Sequence, residues 1–253
     1  SKEAPLNAFI LADIIDEIGL PAGVFNLVSG HGYEVGEHLS GHPDIDMVSF
    51  TGSTSAGVQV SQVAAPTVKR VTLELGGKSA NVILDDADII RAAKSSVGAC
   101  FANSGQTCSA LTRLIVPANK RDEIVEIVSS RVSSYSTGDP LDESIRCGPM
   151  ASARQQTSVS EFIQSGIEEG ATLIAGGAGM PEGIEKGFFV RPTAFADVTP
   201  EMRIWKEEVF GPLLVITTYE TEEEALELAN DSEYGLSGGV WSMDEDRAIS
   251  FAR

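Results

Sequence analysis

Apolar positions along the chain recur at two spacings, and each spacing marks an element. Leu6, Phe9, Ile10 and Ile14 fall on one helical face, predicting a helix over 6–18 that Gly19 ends. Phe25–Val28 and Met47–Phe50 read as short strands, with a helical stretch around Glu34–Leu39 between them. Thr51-Gly52-Ser53 turns into a helix over 54–65, and Val71–Leu75 is a strand stopped by Gly76-Gly77. The alternation then resumes with a strand over 81–84 and a helix over 85–101 that aligns Ile90, Ala93, Val97 and Phe101. A strand over 114–116 follows, then helices over 121–135 (Ile124, Val128, Val132, Tyr135) and 152–169 (Val159, Phe162, Ile163, Ile167), and a strand over 213–218. Thr221-x-x-Glu224 has the form of a capping box, with acids near the positive end of a helix. Strands alternating with helices through short connections predict parallel strands joined by crossover helices, so the expected class is α/β in two units, 1–76 and 77–253. The first strand comes late, and residues 248–253 are helical in pattern without a cap. The chain therefore reads as a fragment of a longer protein.

Composition narrows the function classes. Hydrophobic residues are 42% and charged residues 22%, which suffices for a packed core. Eighteen basic against 37 acidic residues give a net charge of −19, which repels phosphate backbones and anionic bilayers. Neither a general nucleic-acid binder nor a membrane-surface protein is expected. The longest apolar runs, such as Leu213–Ile216, are far too short to span a bilayer, and Asp13 and Asp16 interrupt the first apolar stretch. Three cysteines, Cys100, Cys108 and Cys147, are too few and odd in number for a disulfide framework, which points to a reducing compartment and hence the cytoplasm. His38 and His42 are four apart, but Gly41 and Pro43 disfavour a helix there, and no ligand pattern supports a metal site.

Four segments carry candidate chemistry. Phe50-Thr51-Gly52-Ser53-Thr54-Ser55-Ala56-Gly57 passes from a strand through a glycine turn into a helix, whose free N–H groups can hold a phosphate; ordinary helix capping uses the same residues. Glu74-Leu75-Gly76-Gly77-Lys78 places a carboxylate at the carboxyl end of a strand, on the side of Thr72, where open α/β sheets bind ligands. An ion pair to Arg70 or Lys78 is the competing use of Glu74. Asn103-Ser104-Gly105-Gln106-Thr107-Cys108 surrounds a thiol with small polar residues, whereas Cys100 lies between Ala99 and Phe101 and reads as core. An unperturbed thiol, with pKa near ~8.5, is mostly protonated at neutral pH, and a helix N-terminus would raise its thiolate fraction. Glu207-Glu208-Val209-Phe210-Gly211-Pro212 puts a carboxylate and an aromatic ring on one side of an extended segment before a stiff turn; a surface acid beside a core Phe would look the same.

Taken in order and spacing, these four motifs resemble the NAD(P)-dependent aldehyde dehydrogenase superfamily, and the likeness runs over essentially the whole chain. The resemblance implies a partial Rossmann-like dinucleotide-binding domain over 1–76 and a catalytic α/β domain over 77–253. It implies Cys108 as the nucleophile and Glu74 as the base that activates the hydrolytic water. Gly52, Ser53 and Gly57 match the pyrophosphate turn, Leu75 and Gly76 the backbone beside the nicotinamide, and Glu208 with Phe210 the contacts to its ribose. The implied activity is oxidation of an aldehyde to a carboxylic acid with NAD or NADP, in a homo-oligomer. A CoA-acylating or acyl-phosphate-reductase-like member, or a non-catalytic remnant, are the alternatives. Lys2 stands where many members carry a ribose-binding glutamate, which favours tolerance of NADP. The family's asparagine oxyanion donor and its C-terminal oligomerisation strand are expected outside the chain.

Overall fold

The computed structural model describes residues 3–253, so Lys2 lies outside the described residues. The chain divides into two compact units, Ser1–Leu75 and Gly76–Arg253.

Among the described residues the first unit holds three α-helices and one small sheet. Helix α1 (Leu6–Glu17) ends where Gly19 adopts a left-handed φ of +75°. No residue of α1 is buried, and its predicted inner face of Leu6, Phe9, Ile10 and Ile14 is open. The expected strand at Phe25–Val28 does not form. Phe25 and Val28 are exposed, and among the described residues no strand pairs with the backbone of that segment. A π-helical turn over Gly32–Gly36 leads into α2 (Glu37–Gly41), so a short helix does form around His38, ending at Gly41 with His42 extended. Strands β1 (Met47–Thr51) and β2 (Arg70–Glu74) pair in parallel with Thr51 opposite Glu74. Between them runs α3 (Thr54–Ala64), capped by Ser53, whose side chain accepts from the Ala56 N–H.

The second unit is built on a six-stranded sheet in the order β5-β6-β7-β4-β3-β8. Its strands are β3 (Ala80–Ile83), β4 (Arg113–Pro117), β5 (Thr172–Ala175), β6 (Thr193–Ala196), β7 (Leu213–Tyr219) and β8 (Gly238–Trp241). All neighbours are parallel except β5 and β6. Helices α4 (Ile89–Phe101), α5 (Arg121–Ser133), α6 (Ala153–Glu168), α7 (Arg203–Lys206), α8 (Glu222–Asn230) and α9 (Glu245–Ala252) complete the unit. Successive residues of one strand enter opposite cores. Leu213 and Val215 pack with Phe162, Ile163, Phe195 and Trp205, whereas Leu214 and Ile216 pack with Val97, Phe101, Ile124 and Val128. This two-sided burial explains why β4 and β7 are continuous apolar runs rather than alternating ones.

The expected faces of α4, α5 and α6 are largely buried, but Ile90 and Ile167 are exposed. Helix α4 starts only after Asp88, which caps it by accepting from the Arg91 N–H. Thr221 caps α8 by accepting from the Glu224 N–H, while the Glu224 carboxylate reaches back to the N–H of Glu220 rather than that of Thr221. The capping box is therefore present with its return bond displaced by one residue.

Candidate active site

Two of the four motifs and the Gly76-Gly77-Lys78 end of a third converge within the second unit, and glycines make the convergence possible. A Cβ on Gly76 would collide with the Glu208 carboxylate, and one on Gly77 would collide with the carbonyl of Cys108. The Gly77 N–H donates to Glu208 Oε1 at 3.0 Å. Burial raises the pKa of Glu208, partly offset by that N–H and by the charge of Lys78. Phe210 is exposed, and Val209 between it and Glu208 is buried. The segment is not extended throughout, however: Phe210 has φ +53°, and Gln155 Nε2 holds this bend by donating to the carbonyls of Val209 (3.1 Å) and Phe210 (2.9 Å).

The loop before Cys108 carries unusual backbone. Asn103, Ser104 and Gly105 have φ of 52°, 57° and 71°, three consecutive left-handed residues. For a non-glycine residue that conformation costs about 1–3 kcal/mol and persists only where neighbours enforce it. Ser104 Oγ donates to Gly148 O at 3.1 Å, and Asn103 Nδ2 donates to Gln106 O at 3.1 Å. Gln106 Oε1 accepts from the Ala151 N–H at 2.8 Å, and its Nε2 donates to Pro149 O at 3.4 Å. Gly105 packs so closely on Gly211-Pro212 that a Cβ there would overlap the Gly211 carbonyl. Gly105→Ala should therefore destabilise the fold by about 2–4 kcal/mol, strain and overpacking together, as a lower urea midpoint at unchanged slope.

Cys108 itself is half-buried and free, and sits in a turn closed by the Ala110 N–H on Thr107 O. No helix begins there, so the expected help from a helix N-terminus is absent. Its backbone N–H has no acceptor among the described residues, leaving a donor beside the thiol. The neighbouring Ser109 is anchored through its carbonyl, which accepts from Ser237 Oγ at 3.0 Å. The other two thiols are buried. Desolvation pushes Cys100 up to about 12, and Cys147 is raised for the same reason. Iodoacetamide at mildly alkaline pH should thus label Cys108 in the folded protein and reach Cys100 and Cys147 only after denaturant is added, as read by peptide mass. Equal labelling of all three would contradict this burial pattern.

The first unit holds the remaining predicted residues. Gly52 follows β1 and donates its N–H to Glu74 O at 3.0 Å, so the turn and the carboxylate-bearing residue adjoin at the carboxyl ends of two parallel strands. Glu74 is exposed, on the face of Thr72, and its side chain forms no ion pair with Arg70 among the described residues. Ser53 and the first two residues of α3, Thr54 and Ser55, are exposed. The space above Gly52 is filled by the ring of Phe50, and that above Gly57 by Leu75. Both glycines thus serve packing within the unit.

A sequence model described as the aldehyde dehydrogenase family matches residues 1–253. The chain belongs to the aldehyde dehydrogenase family. Among curated aldehyde dehydrogenases and their kin it is 51% identical over 253 residues to a 3-succinoylsemialdehyde-pyridine dehydrogenase of a Pseudomonas species, all of this chain against 53% of that one. It is similar to aldehyde dehydrogenase C of Pseudomonas syringae, solved as a cysteine-to-alanine mutant with NAD+ and octanal (TM-score 0.97, 48% identity, 98% of this chain and 51% of that one). An aldehyde dehydrogenase of Mycobacterium tuberculosis solved with NAD+ gives a TM-score of 0.94 at 47% identity, over 98% of this chain and 51% of that one. The chain spans about half the length of the curated relatives it matches.

Two features of this aldehyde dehydrogenase chain escape sequence reasoning. Arg113 opens β4 fully buried, donating to the carbonyls of Lys78 (2.7 Å), Leu228 (2.8 Å), Ala229 (2.8 Å) and Asp231 (3.0 Å) and stacking on Trp205. It thereby ties the C-terminus of α8 to the strand that follows Gly76-Gly77. A single basic residue heading an apolar run is the only signal it leaves. Lys78 is equally buried, its Nζ has no partner among the described residues, and burial lowers its pKa to about 7.

Proposed function

We propose that the whole protein oxidises an aldehyde to a carboxylic acid, with NAD or NADP as the hydride acceptor. The observation that carries the reading is the free, half-buried Cys108 thiol with an unused backbone N–H, on a loop packed against Gly77 and so beside Glu208. Relatives bound to NAD+, one of them together with octanal, support it.

The residues present fit a dinucleotide. Only glycine at 76 lets the Glu208 carboxylate stand where it does, and its Oε2 remains able to accept ribose hydroxyls. Glu208 and Phe210 would hold the nicotinamide ribose, with the backbone of Leu75 and Gly76 beside the ring. Ser53, Thr54 and Ser55, exposed at the N-terminus of α3, offer N–H groups and partial positive charge to the pyrophosphate, while Gly52 shapes the turn through its bond to Glu74 O and Gly57 fixes the helix on its strand. When bound, the nicotinamide accepts hydride.

Cys108 supplies the covalent steps. Its sulfur forms a bond to the aldehyde carbon, and the carbonyl electron pair moves to oxygen, which the free Cys108 N–H would stabilise. Loss of hydride from that carbon restores the carbonyl as a thioester. Glu74 then takes a proton from water as its oxygen attacks, the C–S bond breaks, and acid and thiolate are released. A cytoplasmic homo-oligomer is the setting we assign, in keeping with the free cysteines and with the absence, among the described residues, of any helix long and apolar enough to cross a membrane. Initial rates of reduced-cofactor formation with NAD and NADP over an aldehyde panel test the reading. Free acid should accumulate with or without CoA. Acyl-CoA as the product would move the assignment to the CoA-acylating class, and no aldehyde-dependent signal would overturn it.

A further inference from the structure

We propose that Gln106 is a positioning residue for Cys108, clamping the nucleophile loop onto the Gly148–Ala151 segment. The inference rests on the reading of Cys108 as the nucleophile. The geometry behind it is independent of that reading. Three left-handed residues in succession, Asn103 to Gly105, form a sparsely populated path that the local sequence cannot hold alone. One end of the path is fixed by Gly105 against Gly211 and by Ser104 on Gly148 O. Beyond Gly105, the next tie before Cys108 to a distant part of the chain is the Gln106 side chain. Its amide reads two backbone groups at once, accepting from the Ala151 N–H at 2.8 Å and donating toward Pro149 O at 3.4 Å. Among the described residues the Thr107 side chain bonds only the nearby Ala102 carbonyl, and Cys108 has no side-chain bond.

The clamp is two residues from the sulfur, so its release displaces the thiol without removing any group that touches substrate. Small misplacements of a reacting atom are expensive in rate. Gln106 therefore acts on the rate of the covalent and hydride steps and leaves cofactor affinity alone.

The test compares Gln106→Met, which keeps the length and loses both bonds, with Gln106→Glu, which keeps the acceptor for the Ala151 N–H. Both are made in the whole protein. Gln106→Met should slow the pre-steady-state burst of reduced cofactor by roughly 10- to 100-fold. Its cofactor dissociation constant should stay unchanged, and Gln106→Glu should recover most of the burst. Without cofactor or aldehyde, iodoacetamide should alkylate Cys108 faster in Gln106→Met than in the parent, while Cys100 and Cys147 stay protected. A thiol that is more accessible yet slower in catalysis is the signature of lost positioning. A Gln106→Met burst equal to the parent's would overturn the proposal, as would alkylation of Cys100 and Cys147 in step with Cys108, which marks general loosening. If Gln106→Met does not fold, Gln106→Asn, one methylene short of the clamp, takes its place with the same expectations. A parent protein that forms no reduced cofactor with any aldehyde would sink the functional reading; the alkylation contrast among the three thiols then decides the clamp alone.

Discussion

Cys108→Ala in the whole protein should reduce aldehyde-dependent formation of reduced cofactor by on the order of 10⁴-fold or more. Alanine cannot form the bond to the carbonyl carbon, so no species arises from which hydride can leave. Everything else in the neighbourhood should persist. The side chain is half-buried and unbonded, so its loss should change stability by no more than about 0.5 kcal/mol. The Gly77–Glu208 bond does not involve it, and cofactor affinity should be that of the parent. Binding of NAD by equilibrium dialysis, beside a rate assay sensitive to trace turnover, separates the two effects. Steady turnover in the alanine variant would remove Cys108 from the mechanism.

The strongly periodic helices and the continuous apolar strands were legible because burial on both faces of one sheet writes itself into composition. Val97, Ile124, Val159 and Leu213–Ile216 are buried for that reason. The four-residue strands β5, β6 and β8 were not read. Each is short, and β8 begins with two glycines, so its only evidence is the neighbour it pairs with. The opposite holds at Phe25–Val28, an apolar run with strand composition that no strand pairs with among the described residues. Something similar holds at the site. Glycines beside charged or nucleophilic residues marked the segments of Gly76, Gly77, Gly105, Cys108 and Glu208, and within the second unit Gly76 and Gly77 do meet Glu208 and Cys108. The left-handed path through Asn103 and Ser104 left no trace, because both residue types also occur in ordinary turns. Gln106 showed only as a member of its motif and Arg113 only as a base heading an apolar run, because their roles lie in carbonyls and N–H groups 35 to 118 positions away along the chain. Motifs report which residue types a site needs; the backbone partners that hold them depend on the finished fold.

Glu74→Gln should divide the catalytic cycle. Glutamine has nearly the same shape but cannot accept a proton, so acylation and hydride loss proceed once and the thioester then persists. The expected trace is a burst of reduced cofactor, approaching one equivalent per Cys108, followed by a steady rate lower by roughly 10²- to 10⁴-fold. The fold should tolerate the change. Glu74 is an exposed residue at the last position of β2, its carbonyl still accepts from Gly52, and no ion pair is lost. A general fault in the site would shrink the burst as well, and a full burst argues against that. Hydroxylamine supplies the sharper discrimination. It attacks thioesters at neutral pH without help from a base, so it should restore turnover to Glu74→Gln and yield the hydroxamate, while leaving Cys108→Ala inactive. If hydroxylamine fails on a variant that has completed its burst, the block lies in product release or cofactor exchange, and the base must be sought among the other carboxylates.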